Sequence, residues 1–333
     1  MSKNKGFLER EPQANDYIAG VASPIEHENR LFVGNWTDYL PKDEWQLRNS
    51  VETFACVSFS ALNSIEMQLN WMLRHSVISD KARDFLYNND YVEDGLVNLS
   101  DKFLAITSET MPTGNYLTKV AQTLRDYGAI PEGMLQFGEP NSWDEYNNPT
   151  QVTKKMTDLG EEFLRLFNIR YEYIISPTIT AGKTIDELGD IAMYHLKHTP
   201  LQIAARGHAT DYYLGVHKSH FGQYDSYNPF RKQKAWKYNP PYVMKILIEE
   251  KTTYTDAEIN SAKKKVLDVM KNRKAPYFFR PEAAGEAYFH YSDGRFKYKK
   301  GISCKLFDSF IQEKYITPIS EDLWEDFRPA EIK

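Results

Sequence analysis

The sequence changes texture at Pro200, and that change constrains the fold more than any other feature. Before it, apolar residues recur every three or four positions. Leu62, Ile65, Leu69 and Met72 make one such stripe, and Leu117, Val120, Ala121, Leu124 and Tyr127 a second. Val152, Met156, Leu159, Phe163 and Phe167 make a third. This spacing puts each set on one helix face. It predicts helices over 53–74, 116–127 and 151–168, a short one over 80–88, and one opened by the capping box Thr184-Ile-Asp-Glu187. After Pro200 come short runs rich in Tyr, Val, Ile and Leu, separated by turn residues, at 201–205, 211–216, 221–225 and 242–249. Those read as strands. Helices first and strands second predict an α+β fold, with a helical half carrying Cys56 before a β half carrying His208.

The flanks read differently. Residues 1–35 lack helical periodicity and contain Pro12, Gly20 and Pro24, so they are expected to form an extended arm beside a main domain of 36–250. A charged helix over 255–273 and a linker marked by Pro276 and Pro281 fill 251–282. A small appendage over 283–333 is expected to hold a hairpin turning at Ser292-Asp-Gly294, followed by a helix. The chain has 22 Tyr, 18 Phe and 6 Trp, and aromatics of this abundance serve interfaces as well as cores. The arm and the appendage are therefore candidate surfaces for protein assembly partners.

With a net charge of −5, no nucleic-acid partner is expected. The first residues are polar, with no apolar signal segment, and no run reaches the length of a membrane span. These features predict a cytoplasmic or virion-associated protein without a membrane partner. Two cysteines, Cys56 and Cys304, make neither a disulfide framework nor a metal-binding cluster.

Cys56 sits where a polar loop becomes the 53–74 helix, with Thr53 as N-cap and Cys56 at N3. The positive end of a helix lowers a thiol pKa toward the reactive thiolate. A cysteine nucleophile also needs a base, a group that holds the base, and donors for the oxyanion. His208, in a turn after an apolar strand, is the candidate base. Asp225 ends the next strand pair, and a hairpin of 211–216 with 221–225 returns it to His208. Any one of these residues alone is more often structural: a helix-start Cys is commonly a small buried hydrophobe.

Five segments in order carry a resemblance. They are Ala55-Cys-Val-Ser-Phe-Ser-Ala61, Leu99-Ser-Asp-Lys-Phe-Leu104, Gly114-Asn-Tyr through Tyr127-Gly-Ala-Ile-Pro-Glu132, Gly207-His-Ala209 and Asp225-Ser-Tyr227. Together they resemble papain-like cysteine peptidases, most of all the C1-like branch met in bacteria and phages, over roughly 36–250. The resemblance implies an α+β papain-like fold, a helical subdomain plus an antiparallel β subdomain with the active-site cleft between them, and hydrolysis of peptide or isopeptide bonds in a peptide or protein substrate. It also implies a Cys56–His208 pair, with Asp225 orienting His208 where the family has Asn, and no cofactor. Thr53 replaces the family's upstream cysteine and Val57 its tryptophan, so the usual nearby disulfide cannot form. Ser50 stands where the oxyanion glutamine belongs. Gln46 is therefore the expected side-chain donor beside the Cys56 N–H, and Asn49 is the competitor. Secreted members carry a long inhibitory pro-segment; about 55 residues precede Cys56, so no large zymogen step is expected.

Three other readings remain open. A metal site on His208, His217 and His220 lacks an accompanying zinc signature. A transglutaminase or a cell-wall amidase shares the Cys–His–Asp logic. A catalytically silent papain-like domain could serve as a structural component, for example of a phage particle.

Overall fold

The computed structural model describes residues 5–13, 16–18, 30–217, 220–235, 240–251, 260–261 and 264, and strands at 277–279, 286–290, 299–303, 316–318 and 330–332. Contacts divide the chain into one unit of residues 1–19 and 27–251 and another of 20–26 and 252–333. Among the described residues no helix is long and apolar enough to cross a membrane.

In the first unit the hairpin β1 (Leu47–Arg48) and β2 (Val51–Glu52) leads into α1 (Cys56–Arg74) and α2 (Asp80–Asn88). The hairpin β3 (Val92–Glu93) and β4 (Leu96–Val97) comes next. α3 (Asp101–Thr107), α4 (Leu117–Tyr127), the single turn α5 (Trp143–Tyr146) and α6 (Lys154–Leu166) then follow. β5 (Phe167–Ile175) continues directly from α6, and α7 (Ile185–Leu196) begins at the Thr184 capping box. β6 (Leu201–Ala205), β7 (His208–His217), β8 (His220–Tyr224), β9 (Arg231–Ala235) and β10 (Tyr242–Glu250) join β5 in one antiparallel sheet. Its order is β5-β10-β6-β7-β8-β9. The fold is mixed α+β, as the change at Pro200 predicts.

α1 is the buried axis of this unit. It carries no Gly or Pro, and three Leu and two Met, which favour helix, lie along it. Leu62, Ile65 and Leu69 pack in one core cluster with α3, α4, α6 and the even-numbered side chains of β10. Met67 turns toward a second cluster of Trp36, α7 and the strands β6 to β8. Because α1 is enclosed on nearly every side, its polar side chains serve surrounding backbone. Glu66 accepts from Leu99 N at 2.6 Å, Asn70 from Val97 N at 2.7 Å, and Gln68 donates to Ile246 O at 2.9 Å.

Several boundaries differ from the sequence expectation. α1 starts at Cys56 with Ala55 as an N-cap that makes no side-chain cap, so Cys56 is the first helical residue and not the third. The reason is local: Phe54 has φ 56°, which interrupts helix upstream, and the Thr53 hydroxyl donates to Gln46 O at 3.2 Å instead. The helix expected over 151–168 is shorter, because Phe167, Ile169, Tyr171 and Tyr173 alternate into the core as β5. His208 is the first residue of β7, and Arg206-Gly207, with φ 52° and 74°, form the turn before it.

The second unit holds an antiparallel sheet of β11 (Tyr277–Phe279), β12 (Glu286–His290) and β13 (Lys299–Ser303), and the pair β14 (Ile316–Pro318) and β15 (Ala330–Ile332). Residues 277–279, expected as linker, pair with β12. Asn260, Ser261 and Lys264 are helical. The rest of the 255–273 helix, the Ser292–Gly294 turn and the appendage helix lie outside the described residues.

Candidate active site

Gln202 on β6 donates to Val57 O at 3.0 Å and to Ser60 Oγ at 2.7 Å, docking the first turn of α1 onto the sheet. Cys56 is thereby pressed against the start of β7, where Ala209 N–H donates to its Sγ at 3.3 Å. His208 is the residue immediately before that donor. At the far side of the β7–β8 hairpin, Asp211 pairs with Tyr224, so Asp225 emerges beside His208. Their contact is direct: His208 Nε2 to Asp225 Oδ1 is 2.7 Å.

Asp225 is held from three directions. Besides His208, Lys232 Nζ lies 2.5 Å from its Oδ2 and Tyr227 N–H donates to its Oδ1 at 3.1 Å. Burial alone would raise this carboxyl. The bonds and charges of His208 and Lys232 outweigh it and hold Asp225 below the usual carboxylate range. An ionised carboxylate only accepts, so Nε2 carries the proton and Nδ1 is the basic nitrogen of a neutral imidazole. Burial lowers His208, with Asp225 opposing, so the neutral ring prevails. Nδ1 is buried and has no hydrogen-bond partner.

The thiol departs from expectation. Cys56 is 0% exposed, and burial pushes it well above its ordinary value. The Ala209 N–H acts in the opposite sense, while Glu52 and Asp225 raise the thiol further. Desolvation therefore wins over the helix terminus here. Among the described residues no hydrogen bond joins Sγ to the His208 ring, and the resting pair is neutral thiol beside neutral imidazole.

Of the two candidate oxyanion donors, only Gln46 belongs to this site. It is fully buried; its Oε1 accepts from Ser226 Oγ at 2.7 Å and its backbone N–H donates to Ser226 O at 3.1 Å. Its Nε2 faces Glu52 Oε1 at 2.7 Å, Tyr227 OH at 3.0 Å and the carbonyl of Lys5 at 3.0 Å. Tyr227 OH in turn donates to Glu52. Asn49 is exposed in the β1–β2 turn at φ 48°, with Nδ2 3.5 Å from Pro140 O, because that tight hairpin turns it outward. Cys56 N–H, in the first turn of α1, has no intrahelical acceptor and is the candidate backbone donor.

The segment 5–8 crosses this site as an extended chain. Lys5 and Phe7 N–H both reach Gly207 O, at 2.8 and 3.2 Å. Asn115 N–H donates to Gly6 O at 2.8 Å, and Leu8 N–H donates to Asn115 O at 2.9 Å. Lys5 Nζ lies 3.8 Å above the Tyr227 ring. Phe7 packs edge-on against Tyr242 with centroids 5.7 Å apart, within the core cluster that holds Cys56. No sequence motif marks Lys5–Leu8, Glu52, Lys232 or Gln202. The only signals were a Gly-Phe in the arm and a basic residue in a stretch without periodicity.

His217 and His220 pair across β7 and β8, while His208 is taken by Asp225. Among the described residues no three His, Cys, Asp or Glu side chains are placed to hold a metal ion. No protein-family model matches the chain, and no curated protein matches it.

Proposed function

We propose that this chain is a papain-like cysteine hydrolase that cleaves peptide or isopeptide bonds through Cys56, His208 and Asp225. The observation that carries the reading is the juxtaposition at the α1–β7 contact. A thiol on the first turn of a buried helix receives the N–H of the residue after a histidine, and a buried ionised carboxylate holds that histidine's ring. In the reaction, Nδ1 of His208 takes the Cys56 proton as sulfur attacks the carbonyl carbon, and the imidazolium gives it to the leaving amine, leaving a thioester; water, deprotonated by Nδ1, then attacks the thioester carbonyl, releasing the acid as the proton returns to the Cys56 sulfur. Asp225 keeps the proton-bearing Nε2 in place and stabilises the imidazolium. Cys56 N–H and Gln46 Nε2 supply the oxyanion donors; Gln46 already donates to a peptide carbonyl, that of Lys5. A mixture of synthetic peptides analysed by mass spectrometry tests this. Cleavage that vanishes in Cys56→Ala and in His208→Ala supports it; cleavage unchanged in either variant sinks it.

Complete burial of the thiol favours a second reading, a catalytically silent domain of the same type acting as a structural or binding component. The same assay separates the two, since a silent domain leaves every peptide intact.

A further inference from the structure

Asp225 and Lys232 stand on either side of one turn. Asp225 N–H donates to Phe230 O at 2.8 Å, which closes the turn between β8 and β9. Lys232 then pairs in register with Gln223, and this return lays its side chain beside Asp225. The carboxylate divides its oxygens. Oδ1 takes His208 Nε2 at 2.7 Å, and Oδ2 takes Lys232 Nζ at 2.5 Å. The Asp225 side chain is 3% exposed and that of Lys232 21%, so salt screens this pair little. The other groups around the ring come from its remaining neighbours. α1 brings the protonated Cys56 thiol. Tyr227 lies edge-on with centroids 5.4 Å apart, its phenol kept neutral by burial and by Glu52. β6 opposes His208 with Ala205, which carries no charge. Burial lowers the proton affinity of His208, Asp225 raises it, and Lys5 and Lys232 act with the burial.

We infer that Lys232 is a positioning residue for His208: with Asp225 it forms a net-neutral clamp on Nε2, in the place where the papain-like peptidases that the sequence resembles have a single neutral Asn. The carboxylate is a stronger acceptor than an amide oxygen. The ammonium fixes its second oxygen and offsets much of its field at the ring. His208 is thus held by a charged acceptor and still remains a neutral base to lower pH than a lone carboxylate would allow. The consequence for catalysis rests on the proposed function above; the clamp does not.

A histidine-selective NMR titration of the full chain tests this, with the His208 signal assigned by its loss in His208→Ala. In Lys232→Met the unopposed carboxylate raises the His208 midpoint by about one pH unit or more over wild type. Lys232→Arg keeps the cation and leaves the midpoint near that of wild type. Asp225→Asn lowers it, because Lys232 then acts without its counter-charge. Asp225→Asn combined with Lys232→Met is net-neutral again and returns the midpoint to within about half a unit of wild type. A midpoint unmoved in Lys232→Met, with the protein still folded by its thermal midpoint, overturns the inference. So does a double variant that titrates with Asp225→Asn and not with wild type. The titration reads the ring and not turnover, so a silent domain gives the same shifts; the peptide-cleavage assay can fail while the clamp stands, and the reverse.

Discussion

Ala209 N–H donates to Cys56 Sγ at 3.3 Å, which ties the first turn of α1 to the strand that carries His208. A neutral sulfur accepts this bond weakly; a thiolate would accept it strongly. The contact is thus positioned for the charged state even though burial keeps the resting thiol protonated. The expected outcome is that wild type shows no thiolate absorbance attributable to Cys56 across pH about 6–9, by difference against Cys56→Ser.

Asp225 sets the proton affinity of His208 by a 2.7 Å bond and by its charge. Asp225→Ala should lower turnover on the order of 10²–10⁴-fold, because the ring loses both orientation and counter-charge. Asp225→Asn keeps an acceptor but removes the charge that raises His208. The acidic limb of the pH profile, where the neutral ring gains a proton and ceases to be a base, should move to lower pH. Kinetics of both variants across pH check this.

Gln46 joins the site to the fold through Ser226, Glu52, Tyr227 and Lys5. Gln46→Ala leaves those buried groups short of a partner, and chemical denaturation should show a loss of about 1–3 kcal/mol. Turnover should fall more than this stability loss explains, with kcat affected more than KM, as expected for a group that binds the developing oxyanion.

Behind the site lies a set of buried acids. Burial raises Glu132 to about 8, with Glu44 adding to the effect, and burial also pushes Glu66 and Asp101 well above their ordinary values. A carboxyl with its folded pKa above its unfolded value binds more protons when folded. Its stabilisation is complete below the unfolded value of 4.5 and is lost as pH rises through about 8. Thermal midpoints should therefore fall from pH 5 to pH 8, and Glu132→Gln should flatten the slope.

Glu172 on β5 faces Lys245 on β10, register partners at 2.5 Å with both side chains almost fully buried. Glu172→Ala removes the carboxylate that faces the buried Lys245 ammonium and should cost about 3–5 kcal/mol by denaturant titration. Glu172→Met paired with Lys245→Met should recover most of it.

How far the sequence foretold this arrangement depended on range. The stripes of α1 and α4 and the Thr184 box are local patterns, and they correspond to real elements. The pairing that returns Asp225 to His208 followed from hairpin spacing alone. β5 was hidden because its apolar residues continue the helical stripe of α6 up to Phe167, and spacing cannot tell where one period yields to the other. The thiol's proton affinity departs from the helix-start expectation because a helix start is visible in sequence, whereas burial in a core that also takes in the segment 5–8 is not. That segment, Lys5–Leu8, has no periodicity and announces itself only by the partners it meets.

The central claim is that His208 activates Cys56. Its most direct test is the rate of Cys56 labelling by an epoxysuccinyl probe against pH, on wild type and on His208→Ala. The account predicts a rate nearly level across pH about 6–8 where His208 is present, falling on the order of 10²-fold near pH 6 in His208→Ala, because an unassisted thiol is almost wholly protonated there. A rate that climbs about tenfold per pH unit, as for an ordinary thiol, and does so alike with and without His208, would contradict it.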